Sequence, residues 1–323
     1  MMEYSKKNSR MWSRLGSRGT FGKSIFDLAK DNDDFMVLSA DLGKSSGLKK
    51  FMEEYEDRFI NVGIAEQNMI SIAAGIAREG IPVFASSFAP FVTMRSCEQM
   101  RIDAGYMNLN VKAVGLGSGV AMAYLGNSHY GLEDVAIMRS IPNMTIVSPA
   151  DGASIAKTVE KAINWDGPMY IRLTGTVNTP IIYPEDFDFE IGKGIVLEEG
   201  SDITFIASGS MVFECLEASK ILKNNNVSVG VIDMHTVKPL DIKLLDNVTS
   251  KSKYIVTVEE HFETGGLGSA VSQYLTKEKK NNILINIGLP DKFIKGASYS
   301  YILNKYGLKS EHIAARVLKE MNL

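Results

Sequence analysis

The most constraining stretch of the chain is a handover from strand to helix. Arg58-Phe59-Ile60 reads as a short apolar strand, and Asn61-Val62-Gly63-Ile64-Ala65-Glu66-Gln67-Asn68-Met69-Ile70 opens a helix that the pattern carries to about Gly80. Open α/β sheets gather their ligands at the carboxyl ends of their strands, where such handovers occur. Glu66 and Gln67 fall in the first helical turn, at that end. On position alone Glu66 serves equally well as a complement to the positive end of the helix dipole, and both readings stand at this point.

The same alternation runs along the chain. Thr20 to Lys30 reads as a helix, Phe35 to Ala40 as a buried strand, and Asp41 to Gly47 as a loop that is either a polar turn or a ligand loop. Further strands are expected at Ile81–Ser86, Val111–Gly117, Met144–Val147 and Pro168–Leu173, with helices at Leu132–Arg139 and from Gly152 to about Asn164. Phe88 and Phe91 lie just past a strand end, where an aromatic pair is either core or a platform for a ring. A second unit carries strands at Asp202–Ala207, Val227–Ile232, Tyr254–Val258 and Ile283–Ile287. The expected fold is α/β, two doubly wound domains with mostly parallel sheets. They span 18–180 and 196–323, joined by a Pro-containing acidic linker over 181–195. Residues 1–17 are polar and rich in Gly, Ser and Arg, and are expected to be an arm that orders on a neighbour or not at all.

Function classes narrow on composition. A formal net charge of −3 over 323 residues, with both signs interspersed, argues against a nucleic-acid or anionic-membrane surface. Cys97 and Cys215 have no metal-ligand spacing and read as reduced thiols. No apolar run reaches the ~20 residues of a membrane helix, and none precedes Met11-Trp12, so a cytoplasmic protein is expected. Thr264-Gly265-Gly266-Leu267-Gly268-Ser269 lacks the full spacing and acidic partner of a dinucleotide fingerprint.

Three motifs in order, Gly63-Ile64-Ala65-Glu66-Gln67, Ser87-Phe88-Ala89-Pro90-Phe91 and Glu98-Gln99-Met100-Arg101, resemble the pyrimidine-binding domain of the transketolase family. The resemblance extends from about residue 18 to the end. It implies that Glu66 is a buried carboxyl with a raised pKa that hydrogen-bonds N1′ of thiamine diphosphate and so activates the cofactor. It further implies that Phe88 and Phe91 hold the aminopyrimidine, with Asp41 also on the cofactor. Arg18 and Ser45 fall where the family contacts a sugar phosphate, and His129 where a histidine contacts the sugar and takes part in catalysis. The region Glu259 to Ser269 belongs to a C-terminal domain that in the family is largely structural and helps form the dimer.

Other features depart from the family. The Gly-Asp-Gly…Asn motif that holds the diphosphate and a divalent metal does not occur, which implies a partner chain carrying that half together with Mg²⁺ or Ca²⁺. This chain would then be inactive alone and form a homodimer within an α₂β₂ assembly. Gly117 stands in place of a loop histidine and Leu125 in place of an aspartate. Gly175 stands in place of a phosphate-binding arginine, with Arg172 as a nearby substitute. The implied activity is transfer of a two-carbon ketol unit to an aldehyde or ketone sugar, with a specialised substrate that is nucleotide-linked or unphosphorylated. A 2-oxoacid dehydrogenase β subunit and a non-catalytic scaffold remain as alternatives.

Overall fold

The computed structural model describes residues 2–322. Strands β1 (Met36–Ser39), β2 (Phe59–Asn61), β3 (Val83–Phe88), β4 (Val111–Leu116), β5 (Thr145–Val147) and β6 (Met169–Arg172) are mutually parallel in the first domain. The second domain contributes β7 (Ile195–Glu198), β8 (Ile203–Ala207), β9 (Val229–Asp233), β10 (Thr236–Lys238), β11 (Tyr254–Phe262) and β12 (Ile283–Leu289). The sheets run β10-β5-β6-β4-β3-β1-β2 and β12-β11-β8-β9-β7. Every residue of β4 is buried, because helices cover both faces of a central parallel strand and leave no polar side to write an alternating pattern. The α/β, doubly wound architecture is as expected.

Two strands depart from the sequence reading. β7 begins where the linker was expected to end and pairs antiparallel with β9. β10 leaves the second domain and pairs antiparallel with β5 of the first sheet. Ser148 N–H donates to the His235 carbonyl at 2.7 Å beside this join, so the domains share a sheet edge. A three-residue strand has no periodicity to detect, and only the tertiary neighbour defines it.

Residue 1 lies outside the described residues, and residues 2–17 are not an arm. Ser5 caps a helix over Lys6–Leu28 that is interrupted at Gly16, whose φ of 70° and ψ of −179° break the helical path. A Cβ at Gly16 would lie 2.6 Å from the Thr176 carbonyl oxygen, so the break lets the helix bend against the segment after β6. Trp12 is buried against Ala153, Ala156 and Tyr183, and Ser9 Oγ donates to the carbonyls of Tyr183 and Pro184. The interruption at Gly16 explains why no single helical pattern was legible there.

The segment between the domains is pinned by one carboxylate. Asp151 Oδ1 accepts from Ser154 N–H at 2.9 Å and caps the helix Gly152–Ala162, while Oδ2 accepts from the N–H groups of Ile182 and Tyr183 at 2.8 and 2.9 Å. Tyr183 Oη then donates to Asp233 at 2.8 Å. Burial, with Asp151 adding to it, pushes the Asp233 carboxyl up to about 8. An unfolded Asp titrates near ~3.9, so between roughly pH 4 and pH 8 the folded chain holds a proton the unfolded chain has lost. The stability this group contributes is complete at the acid end and is lost as pH rises through the folded value, at about 1.4 kcal/mol per unit. Urea unfolding at pH 5 and pH 8 should register a loss of roughly 3.5–4 kcal/mol from this group, and Asp233→Asn should flatten the dependence by that amount.

Candidate active site

The first sheet brings five connections together at the carboxyl ends of β2, β1, β3, β4 and β6. After β2, the helix Glu66–Arg78 starts on Glu66 itself, which is 2% exposed. Ser87 Oγ, from the last turn of β3, donates to Glu66 Oε1 at 3.0 Å. Arg95 Nη1 donates to Oε2 at 2.5 Å. Arg95 lies on a wide helical turn over Phe91–Arg95, which Thr93 and Ser96 hold by donating their hydroxyls to the carbonyls of Ala89 and Phe91. The turn places the Arg95 guanidinium 4.0 Å over the ring of Phe91.

Three rings close the cluster edge to face. Phe88 and Phe91 lie 6.1 Å apart, and His129 packs on both at 5.5 and 5.4 Å. Ser128 Oγ holds His129 Nδ1 at 2.9 Å, which leaves the other ring nitrogen for a further partner. Asp41 sits apart at the rim, exposed, with φ of 58° and its carboxylate accepting from Asn61 Nδ2 at 3.4 Å. Glu66, Phe88, Phe91 and His129 thus form one group, and Asp41 lies beside it.

His129 is positioned from the second domain. Its loop is closed by paired hydrogen bonds between Gly119 and Gly131. Glu260, buried at the end of β11, accepts from Val120 N–H at 2.7 Å, Tyr299 Oη at 2.7 Å and Ser210 Oγ at 2.5 Å. Burial pushes the Glu260 carboxyl above its usual range against the pull of these three donors. Asn127 Oδ1 accepts from Ile294 N–H at 2.9 Å. The C-terminal domain is therefore more than the structural and dimer-forming unit that the resemblance implied.

A second lobe adjoins the first at Gly117. There Arg18, Lys44, Ser45, Gly117, Met122 and Gly175 line a cavity of about 510 Å³. A Cβ at Gly117 would lie 2.4 Å from Met122 Sδ and 4.0 Å from Phe88. The space of the family's loop histidine is thus taken by a thioether. Leu125 is exposed, so no carboxylate is presented from that position.

Arg172 does not replace the arginine missing at Gly175. It is 2% exposed, with Nε donating to Asp134 Oδ2 at 2.8 Å and Nη2 to the carbonyls of Gly131 and Glu260 at 3.0 and 2.8 Å. Its Nε and Nη2 donors are thus engaged beneath the His129 loop. Arg95, Lys44, Met122 and Glu260 escaped the sequence reading. Lys44 lay unassigned within the Asp41–Gly47 loop and Glu260 within the Glu259–Ser269 stretch, while Arg95 follows Phe91 by one turn.

Residues 14–176 match the family model of the transketolase pyrimidine binding domain, and residues 192–313 that of the transketolase C-terminal domain. The chain belongs to the transketolase family. It is 41% identical to a protein of Methanocaldococcus jannaschii described as a transketolase C-terminal section, over 95% of this chain and 96% of that one. It is 34% identical to one of the subunits of an apulose-4-phosphate transketolase of Phocaeicola vulgatus, over 94% and 97% of the two chains. A solved split gene transketolase, described as an inactive beta4 tetramer, superposes with a TM-score of 0.85 at 38% identity, covering 95% of this chain and 98% of that one.

Transketolases use thiamine diphosphate, and the first lobe fits its aminopyrimidine. The Arg95 guanidinium is a planar N–H donor lying on the Phe91 face with its donor at the Glu66 carboxylate. A protonated aminopyrimidine is also planar and presents the same kind of donor, matching in shape and charge what the half-exposed Arg95 places there. Among the described residues no group of three or more His, Cys, Asp or Glu converges as metal ligands would, and no helix is long and apolar enough to cross a membrane.

Proposed function

We propose that this chain is the pyrimidine-binding half of a two-chain, thiamine diphosphate-dependent transferase of the cytoplasm. It moves a two-carbon ketol unit from a ketose to an aldehyde or ketone sugar. The observation that carries the reading is the slot between Glu66 and the Phe88–Phe91 pair, which already holds a planar cationic donor. Relatives of the same extent are described as a section or a subunit of a transketolase. That supports a partner chain bringing the diphosphate site with its Mg²⁺ or Ca²⁺, and a dimer of this chain in an α₂β₂ enzyme.

When bound, thiamine diphosphate supplies the carbanion chemistry that cleaves and re-forms the carbon–carbon bond. The residues of this chain do the rest. Glu66 shares a proton with N1′ of the pyrimidine and so sets the cofactor's protonation state. Phe88 and Phe91 hold the ring plane and keep water from it, and Asp41 closes the rim on the cofactor side. His129, with Nδ1 held by Ser128, turns Nε2 to a substrate oxygen. With Arg172 consumed in the core and Gly175 bare, an ordinary phosphorylated ketose loses a bidentate contact, which favours a specialised sugar.

Reconstitution tests the reading. The chain, its diphosphate-binding partner, thiamine diphosphate and Mg²⁺ should together transfer a ketol unit from a ketose to an aldose, and neither chain should do so alone. Acylation of a lipoyl protein from a 2-oxoacid, with no ketol transfer, would contradict it.

A further inference from the structure

The segment that carries His129 has little regular structure of its own. It holds one short helical stretch, Ala123–Ser128, broken at Gly126. Its ends meet in the paired hydrogen bonds of Gly119 and Gly131, and the Tyr130 hydroxyl donates to the Ala123 carbonyl within it. Those contacts shape the loop. Its tie to the second domain runs through Glu260 at one end and through Asn127, on the Ile294 N–H, at the other.

Glu260 divides its two oxygens between the domains. Oε1 accepts from Val120 N–H at 2.7 Å, in the loop of the first domain. Oε2 accepts from Ser210 Oγ at 2.5 Å and Tyr299 Oη at 2.7 Å. Ser210 stands just before the helix Met211–Lys223, and Tyr299 opens the helix Tyr299–Lys305. Two helices of the second domain thus anchor a carboxylate that offers its other oxygen to the first. The side chain is buried, 1% exposed, where an acceptor that loses its donor is costly. Gly119, with φ of 67°, admits it: a Cβ there would fall 2.2 Å from Oε1. The far end of the loop returns to the same residue, because Arg172 Nη2 donates both to the Gly131 carbonyl and to that of Glu260.

We propose that Glu260 is a positioning residue: through the Val120 N–H it sets His129 against the Phe88–Phe91 pair, so that alignment at the reacting end depends on the docked second domain. The proposal rests on the role of His129 proposed above and deepens it. The residue type follows from the count of acceptors. The loop needs one oxygen and the two hydroxyls need the other, whereas an amide has one acceptor oxygen and turns donors toward the remaining partner. A glutamine therefore holds the loop or the helices, and not both.

NMR of the imidazole groups in the full chain tests this without cofactor or turnover. The chain has four histidines, His129, His235, His261 and His312, and His129→Gln assigns the signal of interest. The rings of Phe88 and Phe91 meet His129 edge to face at 5.5 and 5.4 Å, so their ring currents displace that signal. Glu260→Gln should move it toward the position of an unstructured histidine and leave His235 and His312 as in the parent. Gly119→Ala, which drives the carboxylate off the loop from the other side, should do the same. In the reconstituted enzyme Glu260→Gln should lower kcat about 10²-fold, the loss that a small misplacement brings. Affinity for thiamine diphosphate, carried by Glu66 and the two phenylalanines, should stay that of the parent. A His129 signal unmoved in both variants would overturn the proposal. So would movement of His235 and His312 along with it in both, or a moved signal with kcat unchanged. The NMR result does not depend on turnover, so failure of this role and failure of the transferase reading are told apart.

Discussion

Substituting Arg172→Met should lower the unfolding free energy by about 3–5 kcal/mol, the usual cost of removing one partner of a buried ion pair. Asp134 is 0% and Arg172 2% exposed in side chain, and they meet at 2.8 Å. Without the guanidinium, Asp134 Oδ2 keeps only the Tyr170 hydroxyl at 2.6 Å. Its Oδ1 has no hydrogen-bond partner among the described residues, and His261 Nε2 stands 3.8 Å away in the same condition. The carbonyls of Gly131 and Glu260 would lose their donor too, so the base of the His129 loop should loosen along with the core. Urea unfolding measures the loss. The pair Arg172→Met with Asp134→Leu should recover more than half of it, since replacing both ions by apolar groups removes the stranded charge. A single variant as stable as the parent would show that Arg172 is not held as described.

Substituting Glu66→Gln should reduce kcat of the reconstituted enzyme roughly 10²–10⁴-fold, the range a positioned proton-transferring group contributes. The amide keeps the shape, and Ser87 can still donate to its oxygen, so the fold should survive. Arg95 is half-exposed and can turn to solvent when its anionic partner is gone. Rate assays and a melting curve on the same preparation separate the two effects. A non-catalytic scaffold would be indifferent to the change.

The order of strands and helices was legible because buried parallel strands appear as short apolar runs bounded by turn residues. The handover at Glu66 was legible for the same reason. Residues 1–17 misled because Gly16 splits one helix into two weak patterns, and the fit of that glycine against Thr176 is a tertiary fact. β10 misled because a strand of three residues takes its identity from β5. In the site, Glu66, Phe88, Phe91 and His129 lie in motifs whose spacing survives in the linear chain. Lys44 comes to line one cavity with Arg18 through close packing, a Cβ at Gly22 falling 2.2 Å from the Gly47 carbonyl, which the linear order does not show. Arg172 was misjudged because its distance along the chain from Gly175 says nothing of Asp134, which reaches this strand residue from the helix Asp134–Ser140.

Calorimetric titration of thiamine diphosphate, with Mg²⁺ present, bears most directly on the two-chain reading. It would be run on this chain alone and on its mixture with the diphosphate-binding partner. Saturable binding in the mixture and none by the chain alone is the expected result, and Glu66→Ala should weaken it. Tight binding by this chain alone would contradict the division of the site between two chains, and binding in neither case would contradict the cofactor itself.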